Sequence, residues 1–238
     1  WELAGYRVIG GTLAGKAAEG LQKEAGIESR TLASWELRWQ DGRDALTDNT
    51  VMVIDEAGMV ASKQMAQHLV DGGFAAMSLA NNHAFDLRAP GMIDSPVILR
   101  ELGITPLGAS RAEPPTFRVE TIERLGWKIG FLAVTARRNA PQFEGTPELP
   151  FLSTTDFDDI LGPLIAAARP EHDLMIVFVH WGDEYADNPG AYQRKAAKSL
   201  IDQGADLVVG HHPHVLQGIE RHGRGAILAL QPPHQLFE

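Results

Sequence analysis

The sequence predicts an α/β protein built on parallel strands. Three observations carry that expectation. Short continuous apolar runs, Val51–Ile54, Leu174–Val179 and Leu207–Val209, each stop abruptly at polar residues, the pattern of strands buried on both faces. Segments with helical apolar spacing, such as Ser62–Val70 and Ala191–Gln203, alternate with them. Breaks such as Asp71-Gly72-Gly73 separate the two kinds of segment.

Taken in order, Tyr6–Ile9 is an apolar run closed by Gly10-Gly11, and Leu13–Glu24 has Leu13, Ala17 and Leu21 on one helical face. Thr31 is placed to cap a short helix through Trp35 to Trp39, broken at Gln40–Arg43. Val51–Ile54 runs into Asp55-Glu56, and the Ser62–Val70 helix follows. Phe74–Leu79 reads as a strand opening onto Asn81-Asn82-His83, and Asp94–Leu102 as a helix stopped by Gly103. Phe117–Val119 and Lys128–Val134 are expected to pair antiparallel around Gly126, and Arg137–Pro150 to be loop. Asp156–Ala168 is a helix with an acidic first turn, favourable against its dipole. Leu174–Val179 leads to His180-Trp181-Gly182, Leu207–Val209 to Gly210-His211-His212, and Ala226–Leu230 is the last apolar run.

Composition narrows the chemistry. Cysteine is absent, so disulfides and thiolate metal sites are excluded, and any metal must sit on His, Asn, Asp or Glu. Acidic residues outnumber basic ones 31 to 21, and a net charge of −10 gives no electrostatic footprint for a phosphate backbone. A nucleic-acid partner is therefore not favoured. No apolar run reaches the roughly 18 residues of a membrane span. No signal peptide is visible, which makes the cytoplasm the default location.

Three strand ends deliver polar side chains: Asn82 and His83, then His180, then His212 and His214. In open α/β sheets, groups beyond the carboxyl ends of neighbouring strands converge on one crevice. Imidazole and amide oxygen suit zinc, manganese or iron, and Pro213 stiffens the turn between His212 and His214. Taken singly, each residue reads as a hydrogen-bonded core or loop side chain. Three such ends together point to a metal or phosphate site.

These residues carry a resemblance. The stretch Phe74 to Asp86, containing Asn81-Asn82-His83, resembles a signature of the CapA family of poly-gamma-glutamate capsule synthesis proteins. His180-Trp181-Gly182-Asp183-Glu184-Tyr185 resembles that family's His-Trp-Gly-x-Glu-Tyr motif, and Gly210-His211-His212-Pro213-His214 its last metal motif. The resemblance covers about residues 74–227, two thirds of the chain. It implies a metallophosphoesterase-like sandwich of sheets flanked by helices, with divalent metal ions (Mn, Fe or Zn) and a small-molecule or polymer substrate. Asn82, His180, His212 and His214 would ligate metal. His83 would protonate a leaving group or stabilise a phosphoryl oxygen. Asp86, His211 and Glu184 would support the ligands from behind, although Glu184 also reads as a solvated loop carboxylate.

Parts of the family pattern are missing. The opening strand ending in Gly-Asp, a later acidic motif and the closing Ser-Leu-Gly-Asn-Phe run do not occur, and Arg88 stands where the family usually has Gly. The implied ligands are then all neutral, so weak or undetectable phosphodiester hydrolysis is expected. The first stretch, about residues 1–67, resembles instead the helicase region of TraA-type conjugative relaxases, on Ala4–Leu21, Ser29–Glu36 and Val51–Met65. That implies a P-loop-type parallel α/β fragment with a Walker B strand, Asp55 holding Mg²⁺ and Glu56 polarising water. Leu13-Ala14-Gly15-Lys16-Ala17 does not fit the Gly-x-x-x-x-Gly-Lys-[Ser/Thr] cradle, which would lie upstream of Trp1. Residues 1–70 and 71–238 are thus expected to be two segments joined near Gln67–Gly73. A capsule-linked hydrolase, a relaxase fragment and a non-catalytic fusion product are the competing readings. Both parents have strand-helix-strand at the join, so one continuous parallel unit bringing Asp55 to the metal site is a further expectation.

Overall fold

The computed structural model describes residues 7–12, 18–19, 22–23, 26–45, 47, 50–54, 63–71, 73–86, 88–108, 117–139, 148–215 and 217–229. Strand β1 (Arg7–Thr12) lies between β2 (Glu28–Thr31) and β3 (Thr50–Ile54), parallel to both. Helix α1 (Leu32–Gln40) begins where expected: the Thr31 hydroxyl accepts the Ser34 amide at 3.1 Å, satisfying one of the helix's otherwise unpaired N–H groups. Trp35, fully buried on α1, locks the helix to the sheet by donating its indole N–H to the Gly10 carbonyl at 2.7 Å. The helix expected over Leu13–Glu24 falls largely outside the described residues.

Helix α2 (Lys63–Asp71) connects this sheet to the rest of the chain. Its buried Ala66 and Leu69 pack with Met77 of β4 (Ala76–Ser78), Leu79, Leu99 of α3 (Arg88–Glu101) and Ile104. Strand β4 pairs in parallel with β5 (Thr105–Leu107), and β3 pairs with β1. The described strands on either side of the join therefore belong to separate sheets, which corrects the expectation of one continuous parallel unit. A common apolar layer joins the halves instead.

The main sheet has six strands, ordered β10-β11-β9-β8-β7-β6. Strands β7 (Trp127–Thr135), β8 (Leu174–His180), β9 (Leu207–His211) and β11 (Gly225–Ala229) run parallel; β6 (Glu120–Arg124) and β10 (Ile219–His222) are antiparallel edges. Alternation along each strand assigns the two faces. Leu132, Val134, Val177, Val179 and Val208 meet Phe157, Leu161 and Ile165 of α4 (Phe157–Ala168) and Ala197, Leu200 and Ile201 of α5 (Ala191–Asp202). Each fully buried aliphatic of that layer contributes about 1.5–3 kcal/mol. On the opposite face Ala133, Phe131 and Phe178 meet Ala80, Leu107 and Ala76 of the β4–β5 layer. That second layer is what carries Asn82 over the sheet.

Three expected boundaries shift. The strand before Gly126 is Glu120–Arg124 and not Phe117–Val119, because Leu125 and Gly126 both adopt positive φ (+52° and +81°) and form a two-residue turn with Arg124 opposite Trp127. Such a tight turn sets hairpin register more strongly than local apolarity does. Helix α3 starts at Arg88, six residues before the expected Asp94, since Pro90 falls within its first turn, where no N–H is needed. The β4 strand is confined to Ala76–Ser78, within the expected Phe74–Leu79.

Arg88 has φ +57°, a left-handed conformation at a position where the family usually has Gly. A side chain there is strained by about 1–2 kcal/mol. Arg88→Gly is expected to raise stability by a net of about 0.5–1 kcal/mol once the added freedom of the unfolded chain is subtracted. An unchanged or lower urea midpoint would show that the Arg88 conformation is not strained.

Candidate metal centre

The site forms where β4, β8 and β9 end. His180 and His211 are register partners on β8 and β9, and their Nδ1 atoms lie 2.8 Å apart. His180 is fully buried, and its ring centroid is 4.7 Å from that of His211 and 4.6 Å from that of His212. The His212 and His214 rings are 5.7 Å apart. Burial, reinforced by the neighbouring His211, His212, His214 and His83, pushes the His180 pKa well below that of an ordinary histidine. His180 is therefore neutral, the form a metal requires.

Asn82 arrives from the other layer, on the turn after β4. Its side-chain N–H₂ donates to the Asn139 amide oxygen at 3.1 Å, and the Asn139 backbone N–H returns to the Asn82 carbonyl at 3.3 Å. The Asn82 Oδ1 atom, in a residue only 4% exposed, has no hydrogen-bond partner. Nor does Nε2 of the fully buried His180. Buried polar atoms without partners carry a large desolvation cost, which coordination to a divalent cation would offset. The donor set, imidazoles and an amide oxygen, fits such an ion. His83 is held differently: Asn81 Oδ1 accepts its backbone N–H at 2.9 Å, and Asp86 Oδ2 lies 2.6 Å from its Nδ1. Asp86 thus orients the His83 ring.

Two loops shape the centre and are tied together. The Trp181 N–H donates to the His211 carbonyl at 2.9 Å, the Tyr185 N–H to the Pro213 carbonyl at 2.7 Å, and Gln217 Nε2 to the Ala186 carbonyl at 2.7 Å. Arg137, just past β7, donates to the Gly182 carbonyl at 2.8 Å and pairs with Asp183. Gly210 is required by packing, since a Cβ there would lie 2.6 Å from Trp181 Nε1. Gly182 has φ +98°, and its missing Cβ leaves room for Gln193 and Pro213. Tyr185, His212 and His214 hold positive φ values of +61°, +106° and +59°. Three non-glycine residues in left-handed conformations within one site mark strain that the surrounding contacts sustain.

Glu184 Oε, His212 and His214 present ligand atoms all within 4.8 Å of one another. Of the other residues expected from sequence on this half, His180 and His211 adjoin this group, His83 is near enough to act on His180, Asp86 contacts His83, and Asn82 is held by Asn139. Asp55 and Glu56 lie outside the described residues. Sequence reasoning missed Asn139, which fixes the Asn82 amide, and Arg137, which anchors the His180 loop. Both follow β7, a fourth parallel strand ending on the same side, so the strand-end rule applied there would have found them.

In metal-free protein, the neutral state of His180 links stability to pH. Its folded pKa is depressed, so its contribution is complete above the unfolded value of about 6.5 and is lost as pH falls from there toward the folded value. Urea midpoints are expected to drop between about pH 7.5 and pH 5, and His180→Asn to flatten that slope. An identical slope in the variant would remove His180 as its source.

Comparison with known proteins agrees with this geometry. The family described as bacterial capsule synthesis protein PGA_cap matches residues 45–228, and an AAA domain matches residues 1–71, so the two overlap across β3 and α2. Capsule biosynthesis protein CapA of Bacillus anthracis is 31% identical over 170 residues, covering 70% of this chain and 41% of that protein. Conjugal transfer protein TraA of Rhizobium radiobacter is 79% identical over 66 residues, covering 28% of this chain and 6% of that protein. The chain thus spans less than half of one relative and a small part of the other. A solved structure, titled as a novel phosphatase from Mycoplasma pneumoniae, superposes with a TM-score of 0.51 at 16% identity, covering 92% of this chain and 68% of that one. The chain accordingly shares the α/β fold of that structure, and its first residues match an AAA domain. The chain belongs to the bacterial capsule synthesis protein (PGA_cap) family, and carries at its N-terminus a segment of the TraA type.

Proposed function

We propose that the chain is a CapA-like, metal-dependent hydrolase of a phosphoester or related bond, linked to capsule polymer synthesis and acting on a small-molecule or polymer substrate. The observation that carries this reading is the His180–His212–His214 ring cluster, with His180 Nε2 and Asn82 Oδ1 both buried and unpartnered. Asn82, His180, His212 and His214 would hold the metal, with Mn, Fe or Zn suited to these donors. Divalent ions supply Lewis acidity and an activated water in such centres. His83, oriented by Asp86, is the group that would deliver a proton to a leaving oxygen or hydrogen-bond a phosphoryl oxygen. His211, against His180 Nδ1, fixes the ring so that Nε2 is left for the metal. In this reading residues 71–238 form the functional unit and 1–70 a relaxase-derived one.

Protein purified without chelator is expected to contain a divalent transition metal. His180→Ala and His212→Ala should each lower its content by about tenfold or more at equal protein concentration. Elemental analysis giving the same content in all three proteins would sink the assignment.

A second reading, a fragment of an ATP-dependent conjugative relaxase, is favoured by the parallel β2-β1-β3 sheet and the 79% identity to TraA. Asp55 and Glu56 would then be its nucleotide-side carboxylates. The phosphate-cradling motif does not occur in the sequence, so ATP is expected to bind more weakly than about 1 mM. Calorimetry showing micromolar ATP binding that disappears in Glu56→Ala would put this reading first. A non-catalytic fusion product, the third reading, would retain neither metal nor nucleotide.

A further inference from the structure

We infer that Glu184 is itself a metal ligand with His212 and His214, and that it supplies the negative charge that the family's missing Gly-Asp carboxylate would have brought. The inference rests on the metal-centre reading above. The ligand atoms of these three side chains lie within 4.8 Å of one another, a small side-chain adjustment from the spacing imposed by one ion bound at about 2.0–2.2 Å from each.

Two adjacent carboxylates in this loop meet different fates. Asp183 is paired with Arg137. Among the described residues no cation pairs with Glu184, and it faces the two imidazoles instead. The backbone holds it there. Tyr185, the next residue, adopts φ +61°, and its N–H donates at 2.7 Å to Pro213, the residue between His212 and His214. The Tyr185 ring lies against the His214 ring at 5.8 Å. A left-handed tyrosine persists only where its surroundings over-determine it, and here those contacts set Glu184 beside the histidine pair.

Charge supplies the independent reason. The unpartnered buried atoms of His180 and Asn82 point to a cation, yet both are neutral donors, as are His212 and His214. A dication taken into a buried pocket by neutral groups alone keeps its full desolvation cost. One carboxylate among the ligands halves the net charge of the complex. Glu184 has the reach to do this without any contribution from the N-terminal segment.

Zinc titration of metal-depleted full-length protein, followed by calorimetry, tests the inference. Glu184→Gln keeps the side-chain shape but loses the charge, and is expected to weaken zinc about 10- to 100-fold. Asp187→Asn, an exposed carboxylate change in the same loop, should stay within about twofold of the parent if only surface charge is altered. Parent-like zinc affinity in Glu184→Gln, with affinity lost in His212→Ala, would overturn the role of Glu184 while leaving the metal centre standing. Equal weakening in Glu184→Gln and Asp187→Asn would also overturn it, as general electrostatics. No zinc uptake by the parent protein would overturn both the inference and the centre on which it rests.

Discussion

The register between β8 and β9 is the constraint on which the site depends. It sets His180 opposite His211, so the chain beyond each strand leaves the sheet at the same height. Backbone hydrogen bonds from Trp181 to His211 and from Tyr185 to Pro213 then bind the two exits to each other. A slip of one residue would turn His180 to the helix-covered face among Val177, Val179 and Leu200, because strand side chains alternate. The tight fit of Trp181 over Gly210 and its stacking on Phe157, 5.9 Å away, resist that slip from the helix side.

The second layer brings the Asn82 turn against Asn139, beyond the end of β7. Asn82 reaches Asn139 because β4 and β5 pack through Ala80 and Leu107 onto Ala133. That layer in turn rests on α2, whose Ala66 and Leu69 close the apolar cluster of Met77, Leu99 and Ile104. Helix α2 lies within both family matches, and its buried face packs against the β4–β5 layer. The cluster asks of this helix only small and branched apolar groups at helical spacing, not a particular sequence. The overlap of the two family matches over residues 45–71 falls on this shared element.

The site combines buried imidazoles with strained backbone. His212 and His214 have positive φ in the turn that follows β9. The stability lost there is offset by the apolar layer between the main sheet and α4 and α5, into which Trp181 of the His180 loop is itself packed.

The parallel α/β class, the Thr31 cap, most helices and the chemistry of the strand ends were all legible from the sequence, since apolar periodicity and capping are local properties of the chain. So were Asn82, His83, His180, His212 and His214 as a group, because strand ends advertise themselves by an apolar run that stops at a polar residue. Only the tertiary structure decided the start of β6, the separation of the two parallel sheets, the contacts made by Asn139 and Arg137, and the approach of Glu184 to His212 and His214. Those depend on turn dihedrals and on contacts between loops far apart in sequence, such as Asn82 with Asn139 and Tyr185 with Pro213. Local pattern carries no information about which loop lies across from which; that is set by strand order and register once the sheet has formed.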